Sequence, residues 1–164
     1  MLSLFKPDQV FESVVEITPR WLKDRGIEGI IIDLDNTTIP WGEWEFRQDL
    51  HEWTKTMHRS GVKLCILSNG RRRRVSILAQ KLQVPYIYGR RKPRKSAFLR
   101  ALSILNTQFH RTAVIGDQLF TDVLGGNRLG LLTILVSPLS ENEFIGTKFM
   151  RYLEKVVFKK LDQE

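Results

Sequence analysis

The stretch GIIIDLDNTTIPWGEWEF, Gly29 to Phe46, runs three isoleucines into two aspartates, Asp33 and Asp35, with one leucine between them. A short apolar β-branched run of this kind reads as a buried strand. Strands that enter a core do not ordinarily end by setting two carboxylates side by side. The strand's period of two turns Leu34 away from both acids and into the core.

Working outward, similar runs recur along the chain. Val62–Asn69, Thr112–Gln118 and Leu131–Ser137 read as strands, with a weaker short one at Pro85–Gly89. Helical patterns alternate with them at about Trp44–Ser60, Arg72–Leu82, Ser96–Asn106 and Thr121–Leu129. Gly61, Gly89 and Gly130 fall where elements should stop. The opening segment and the closing stretch Glu143–Leu161 read as further helices. Near-continuous apolar strands separated by helices predict an α/β fold, a mainly parallel sheet covered on both faces. We find no repeat, linker or low-complexity tract, so residues 1–164 are expected to form a single domain. In such sheets ligands bind beyond the carboxyl ends of the strands. That rule gathers Asp33 and Asp35, Ser68 and Asn69, and Asp117 on one rim.

Composition narrows the setting. The longest apolar runs are too short to cross a bilayer, and the first residues carry no secretion signal. The single cysteine, Cys65, has no partner for an internal disulfide and reads as a buried small hydrophobe in a reducing compartment. The cytoplasm is the expected compartment, with peripheral attachment to the inner face of a membrane as an option. The net charge of +8 is concentrated: from Trp53 to Gly116 there are fifteen Lys and Arg and no Asp or Glu. Such a one-signed field favours an anionic partner, be it phosphate, nucleic acid or an acidic membrane.

Two aspartates on one rim repel unless a cation lies between them. Asp33 and Asp117 with a backbone carbonyl make a small set of hard oxygen donors that suits Mg2+. Zinc is disfavoured, because His51, His58 and His110 have no metal-ligand spacing and there is no second cysteine. No NTP-cradling G-x-x-x-x-G-K-[ST] run is present, and the glycines of LGGNRLG (Leu124–Gly130) do not follow a strand in the dinucleotide pattern.

DLDNT at Asp33–Thr37, LSN at Leu67–Asn69, KP at Lys92–Pro93 and GDQLFTD at Gly116–Asp122 resemble, in order, the four motifs of the haloacid dehalogenase (HAD) superfamily of phosphatases. The longer run VIGDQLFTDVLGGNRLGLLTILVSPL, Val114 to Leu139, resembles the YqeG family of subclass IIIA, related to the mitochondrial phosphatidylglycerophosphatases. The resemblance implies a three-layer Rossmann-like HAD fold. It implies Asp33 as the nucleophile that forms an aspartyl-phosphate, and Asp35 as the general acid and then base. One carboxylate cannot do both jobs at once, which accounts for a strand that ends on two. It further implies Mg2+ held by Asp33, the Asp35 backbone carbonyl and Asp117, and a phosphate bound by Ser68, Asn69 and Lys92. Asp122 and Thr37 would support these from behind. Gly70 departs from the family, which usually carries a second asparagine there.

Only thirty-two residues separate Asp35 from Ser68, and twenty-two separate Asn69 from Lys92. Neither insertion holds a cap domain; a short flap is all that fits. The open site suits a phosphate on something large. Arg71, Arg72, Arg73 and Arg74 follow motif two, and Arg90 and Arg91 precede the motif-three lysine. Cations in the first turn of a helix oppose its macrodipole, each costing about 0.3–1 kcal/mol, so an anionic target explains them better than solvation does. Trp41 and Trp44 on the flap either meet acyl chains or pack onto the core. Phe149, Leu153, Val156 and Val157 with Lys148, Arg151, Lys155, Lys159 and Lys160 would form a basic amphipathic helix. The expectation is a phosphatidylglycerophosphatase of phospholipid biosynthesis. A phosphatase for nucleic-acid ends or another phosphorylated macromolecule or metabolite, and a non-catalytic binding or scaffold protein, are the alternatives.

Overall fold

The computed structural model of the protein describes residues 2–89 and 91–140. Arg90 and the expected helix at Glu143–Leu161 lie outside them. After a 3-10 turn at Leu2–Phe5 the chain forms β1 (Gln9–Phe11), a second such turn at Val14–Glu16, and α1 (Pro19–Lys23). Then come β2 (Gly29–Ile32), α2 (Gln48–Arg59), β3 (Lys63–Leu67), α3 (Arg72–Leu82), β4 (Tyr86–Ile87) and α4 (Lys95–Leu105). β5 (Thr112–Gly116), a π-helical turn at Leu119–Val123, α5 (Leu124–Asn127) and β6 (Leu132–Val136) complete the described elements.

The six strands make one parallel sheet in the order β1-β6-β5-β2-β3-β4. Alternate side chains go to opposite faces, as a pleated strand requires. Ile30, Ile32, Leu64, Ile66, Ala113 and Ile115 join the core beneath α2 and α3. Ile31, Cys65, Leu67 and Val114 join a second core beneath α4, packed on Phe98, Leu102 and Leu105. Both faces are dry, which is why these strands read as unbroken apolar runs. β2 lies between β3, reached directly through α2, and β5, reached later through α4, so connections on its two sides depart to opposite faces. That is the switch point at which open α/β sheets bind ligands.

The opening segment is not a helix, as its sequence suggested, but an edge strand followed by one short helix. β1 pairs in register with Ile134, Leu135 and Val136. The Asp8 carboxylate accepts both the N–H and the hydroxyl of Thr133, at 2.8 and 3.0 Å. With only three residues and Val10 61% exposed, this strand is created by its neighbour rather than by local preference. The helix expected from Trp44 begins instead at Gln48, so the preceding residues form the flap. Between Asp35 and Ser68 the chain holds only that flap, α2 and β3; between Asn69 and Lys92, only α3 and β4. The fold is capless among the described residues.

Cys65 is wholly buried, and burial pushes its thiol up to about 12. A disulfide reagent such as DTNB should therefore label it only as fast as the protein unfolds. Labelling of the native protein within the mixing time would contradict this placement.

Candidate active site

The sheet register assembles the site. Ile32 pairs with Ile66 on one side and Ile115 on the other, so the next residues of all three strands emerge at one level. The Asp33 N–H continues the ladder to the Ile115 carbonyl at 3.0 Å. Its Oδ1 accepts a hydrogen bond from Lys92 Nζ at 2.7 Å, and the same ammonium donates to Asp122 Oδ1 at 2.6 Å. Thr37 Oγ1 donates to Asp117 Oδ1 at 2.9 Å. Asp33, Asp117 and Asp122 are buried, and one carboxylate oxygen of each lies within 4.8 Å of the others.

The electrostatics follow from that crowding. Burial pushes Asp122 up to about 7; Lys92 opposes the shift, while the charges of Asp33 and Asp117 reinforce it. Burial alone would lower Lys92, but Asp122 and Asp33 outweigh it and hold the ammonium above its ordinary range. Asp33 and Asp122 thus share the Lys92 ammonium.

Each side chain has a local reason for its position. Asp122 rides the π-helical turn, where its Oδ2 accepts from the Gln118 N–H at 3.3 Å and the Thr121 hydroxyl at 3.4 Å. A glycine at 116 is a packing requirement, since a Cβ there would fall 2.1 Å from Asp122 Cγ. Lys92 lies on the loop after β4, and Asn69 braces that loop. Asn69 Oδ1 accepts the N–H groups of Arg91 and Lys92, both at 3.0 Å, and its amide donates to the Lys92 carbonyl at 3.4 Å. The residue expected to bind phosphate thus also splints Lys92, and its amide keeps a second N–H. Ser68 is buried and accepts the Gly70 N–H at 3.0 Å, which leaves its hydroxyl proton for another acceptor.

Asp35 stands one step further out, half-buried. Burial raises its pKa, against the opposing charge and hydrogen bonds of Arg74. Arg74 was grouped with the rim from its sequence, but it turns inward, and its Nε and Nη2 reach Asp35 Oδ1 at 3.1 and 2.8 Å. Its Nη1 is buried with no partner among the described residues. Arg71, Arg72, Arg73 and Arg91 are exposed, as are Trp41 and Trp44. Lys81 fastens the flap by donating to the Trp44 carbonyl at 2.7 Å and to the Glu45 carboxylate.

Asn36 escaped the sequence reading. It holds a left-handed backbone (φ 62) between Asp35 and Thr37, and its Oδ1 accepts from Trp41 N–H at 3.1 Å and Ser140 Oγ at 2.7 Å. Asparagine tolerates that conformation and can organise a turn through its own side chain. The run DLDNT contained the signal.

Known proteins agree with this geometry. Residues 89–138 match the family model described as HAD-hydrolase-like. The protein named Probable phosphatase YqeG from Bacillus subtilis is 41% identical over 160 residues, which cover 98% of this chain and 93% of that protein. The chain belongs to the YqeG family of HAD phosphatases. The fold recurs in an uncharacterized Listeria monocytogenes protein at 17% identity, with a TM-score of 0.58 over 72% of this chain and 85% of that one. A HAD phosphatase from Thermococcus onnurineus gives 19% identity and a TM-score of 0.51 over 62% of this chain and 51% of its own. HAD phosphatases use a divalent metal, and the donor set among the described residues fits one: three buried carboxylates cluster together, with no His or Cys among them.

Replacing Gly116 by Ala should cost on the order of 1–3 kcal/mol of stability in urea unfolding, because the Asp122 carboxylate must move. The folded value of Asp122, about 7, lies above its ordinary 3.8, so the folded state binds the proton more tightly than the unfolded state. Its contribution is complete below the ordinary value and is lost as pH rises through the folded one. Metal-free protein should therefore lose stability on approaching neutral pH, and Asp122→Asn should lose less. An added divalent metal ion at a hundred times its Kd should restore about 2.7 kcal/mol, read as a rise in Tm that Asp117→Asn abolishes.

Proposed function

We propose that the protein is a Mg2+-dependent phosphomonoesterase that works through an aspartyl-phosphate and acts on phosphatidylglycerophosphate at a membrane surface. The observation that carries this reading is the convergence of Asp33, Asp35, Ser68, Lys92 and Asp117 at an uncovered rim with exposed arginines.

In the first step an Asp33 carboxylate oxygen bonds to phosphorus as the ester P–O bond breaks, and Asp35 gives its proton to the departing alkoxide. In the second, Asp35 takes a proton from water as that water's oxygen bonds to phosphorus. The bond to Asp33 then breaks and inorganic phosphate leaves, with Asp33 again a carboxylate. Ser68 donates its hydroxyl proton to a phosphoryl oxygen, and Lys92 pairs with the phosphoryl charge while Asp122 keeps it in place. Asp33, the Asp35 carbonyl and Asp117 would hold Mg2+, supported by the Thr37 hydroxyl on Asp117. Held by these residues, the ion would supply neutralising charge to the phosphoryl oxygens.

Two features support a lipid substrate. No cap closes the site among the described residues, and on the flap Trp41 and Trp44 stand 47% and 45% exposed. Near an anionic leaflet each basic residue contributes on the order of 1 kcal/mol. The same charges would serve phosphorylated nucleic-acid ends, but the chain carries no zinc-finger or RRM signature. No helix among the described residues is long and apolar enough to cross a membrane, so membrane contact would be peripheral.

With Mg2+ the protein should hydrolyse p-nitrophenyl phosphate. Asp33→Asn should lower kcat by at least ~1000-fold without loss of fold, in line with removal of a covalent nucleophile. Surviving activity would reject Asp33. Phosphate release from phosphatidylglycerophosphate vesicles should exceed release from 3′- or 5′-phosphorylated oligonucleotides; the opposite order would assign the site to nucleic acid.

A further inference from the structure

Arg74 differs from the arginines that precede it. Its side chain is only 15% exposed, and its guanidinium carbon lies 5.1 Å from the centre of the Trp44 ring. Two of its N–H groups converge on a single oxygen, Asp35 Oδ1. A carboxyl oxygen that already accepts two charge-assisted hydrogen bonds is a poor place for a proton. Oδ2 is left to carry it.

Oδ2 lies beside Gly70. A Cβ at that position would lie 3.6 Å from Asp35 Oδ2, 3.1 Å from Ser68 Oγ and 3.2 Å from Val75 Cγ2. The glycine thus keeps a crowding side chain away from the Asp35 oxygen and the Ser68 hydroxyl.

We propose that Arg74 is the positioning residue for proton transfer: by holding Oδ1 it directs Asp35 Oδ2 to the side of Gly70, where the leaving-group oxygen is received. The inference rests on the role of Asp35 given above. The proton passes from Oδ2 to the alkoxide oxygen as the P–O bond breaks, and Arg74 keeps all of its own protons. The planar two-pronged donor explains arginine here, because a lysine offers no such fork. Trp44 packs against the guanidinium, so the flap helps to hold the arrangement.

The test is the dependence of kcat/KM on leaving-group acidity, from 2,4-dinitrophenyl phosphate through phenyl phosphate to a simple alkyl phosphate. An acidic phenol leaves without a proton, whereas an alkoxide needs one. Removing effective acid catalysis therefore steepens the dependence. In Arg74→Met the ratio of activated to alkyl ester should rise by roughly 30-fold or more over wild type, below the effect of Asp35→Asn. Arg74→Lys should recover part of it, and Arg74→Gln serves if the methionine variant does not fold. A loss equal for all esters, the mark of a merely structural role, overturns the proposal, as does an unchanged ratio. A steepened dependence in Asp35→Asn but not in the Arg74 variants rejects this inference alone. A flat dependence in Asp35→Asn rejects the acid role of Asp35 and the inference with it.

Discussion

Lys92 holds its ammonium between Asp33 and Asp122, at 2.7 and 2.6 Å, in a site where the lysine is only 8% exposed and Asp117 lies within reach of both carboxylates. Removing such ions from water costs several kcal/mol each, and their mutual attraction offsets this only when every group is well placed. Much of the surrounding structure supplies that placement. Asn69 braces the lysine's loop, the π-helical turn and its hydrogen bonds hold Asp122, and Thr37 holds Asp117. Gly116 gives the room that the Asp122 carboxylate occupies.

Asp33, Asp117 and Asp122 cluster beside the Lys92 ammonium in a buried place, a set of hard oxygen donors that a divalent metal suits. Arg71, Arg72, Arg73 and Arg91, which flank motif two and Lys92 in sequence, are exposed. Arg74 belongs to neither set. It connects the flap, through Trp44, to the carboxyl group of Asp35.

The architecture was legible in the sequence because both faces of the sheet are dry. GIIID, KLCIL and TAVIG could be read as buried strands since each of their residues but Lys63 packs against a helix or a core partner. The strand-end acids followed from that, as did the absence of a cap, which is a matter of length. The first strand was missed because QVF has no pattern of its own and exists by pairing with β6. The start of α2 was set too early because the flap's tryptophans mimic an amphipathic turn.

Side-chain partnerships were beyond what sequence could decide. Four consecutive arginines are equivalent as letters; the 3.6-residue turn and the position of Asp35, thirty-nine residues away, select Arg74 alone to face inward. That Asn69 also braces the Lys92 loop could be seen only once that loop came within hydrogen-bonding distance. The chain by itself determined the order of strands and helices, the acids at their ends and the family to which it belongs, because these depend on local pattern and spacing. Which acid meets the lysine, which arginine meets the acid, and what crowding a missing side chain avoids were decided only by tertiary packing, because hydrogen bonds and ion pairs act over a few ångströms between residues remote in sequence.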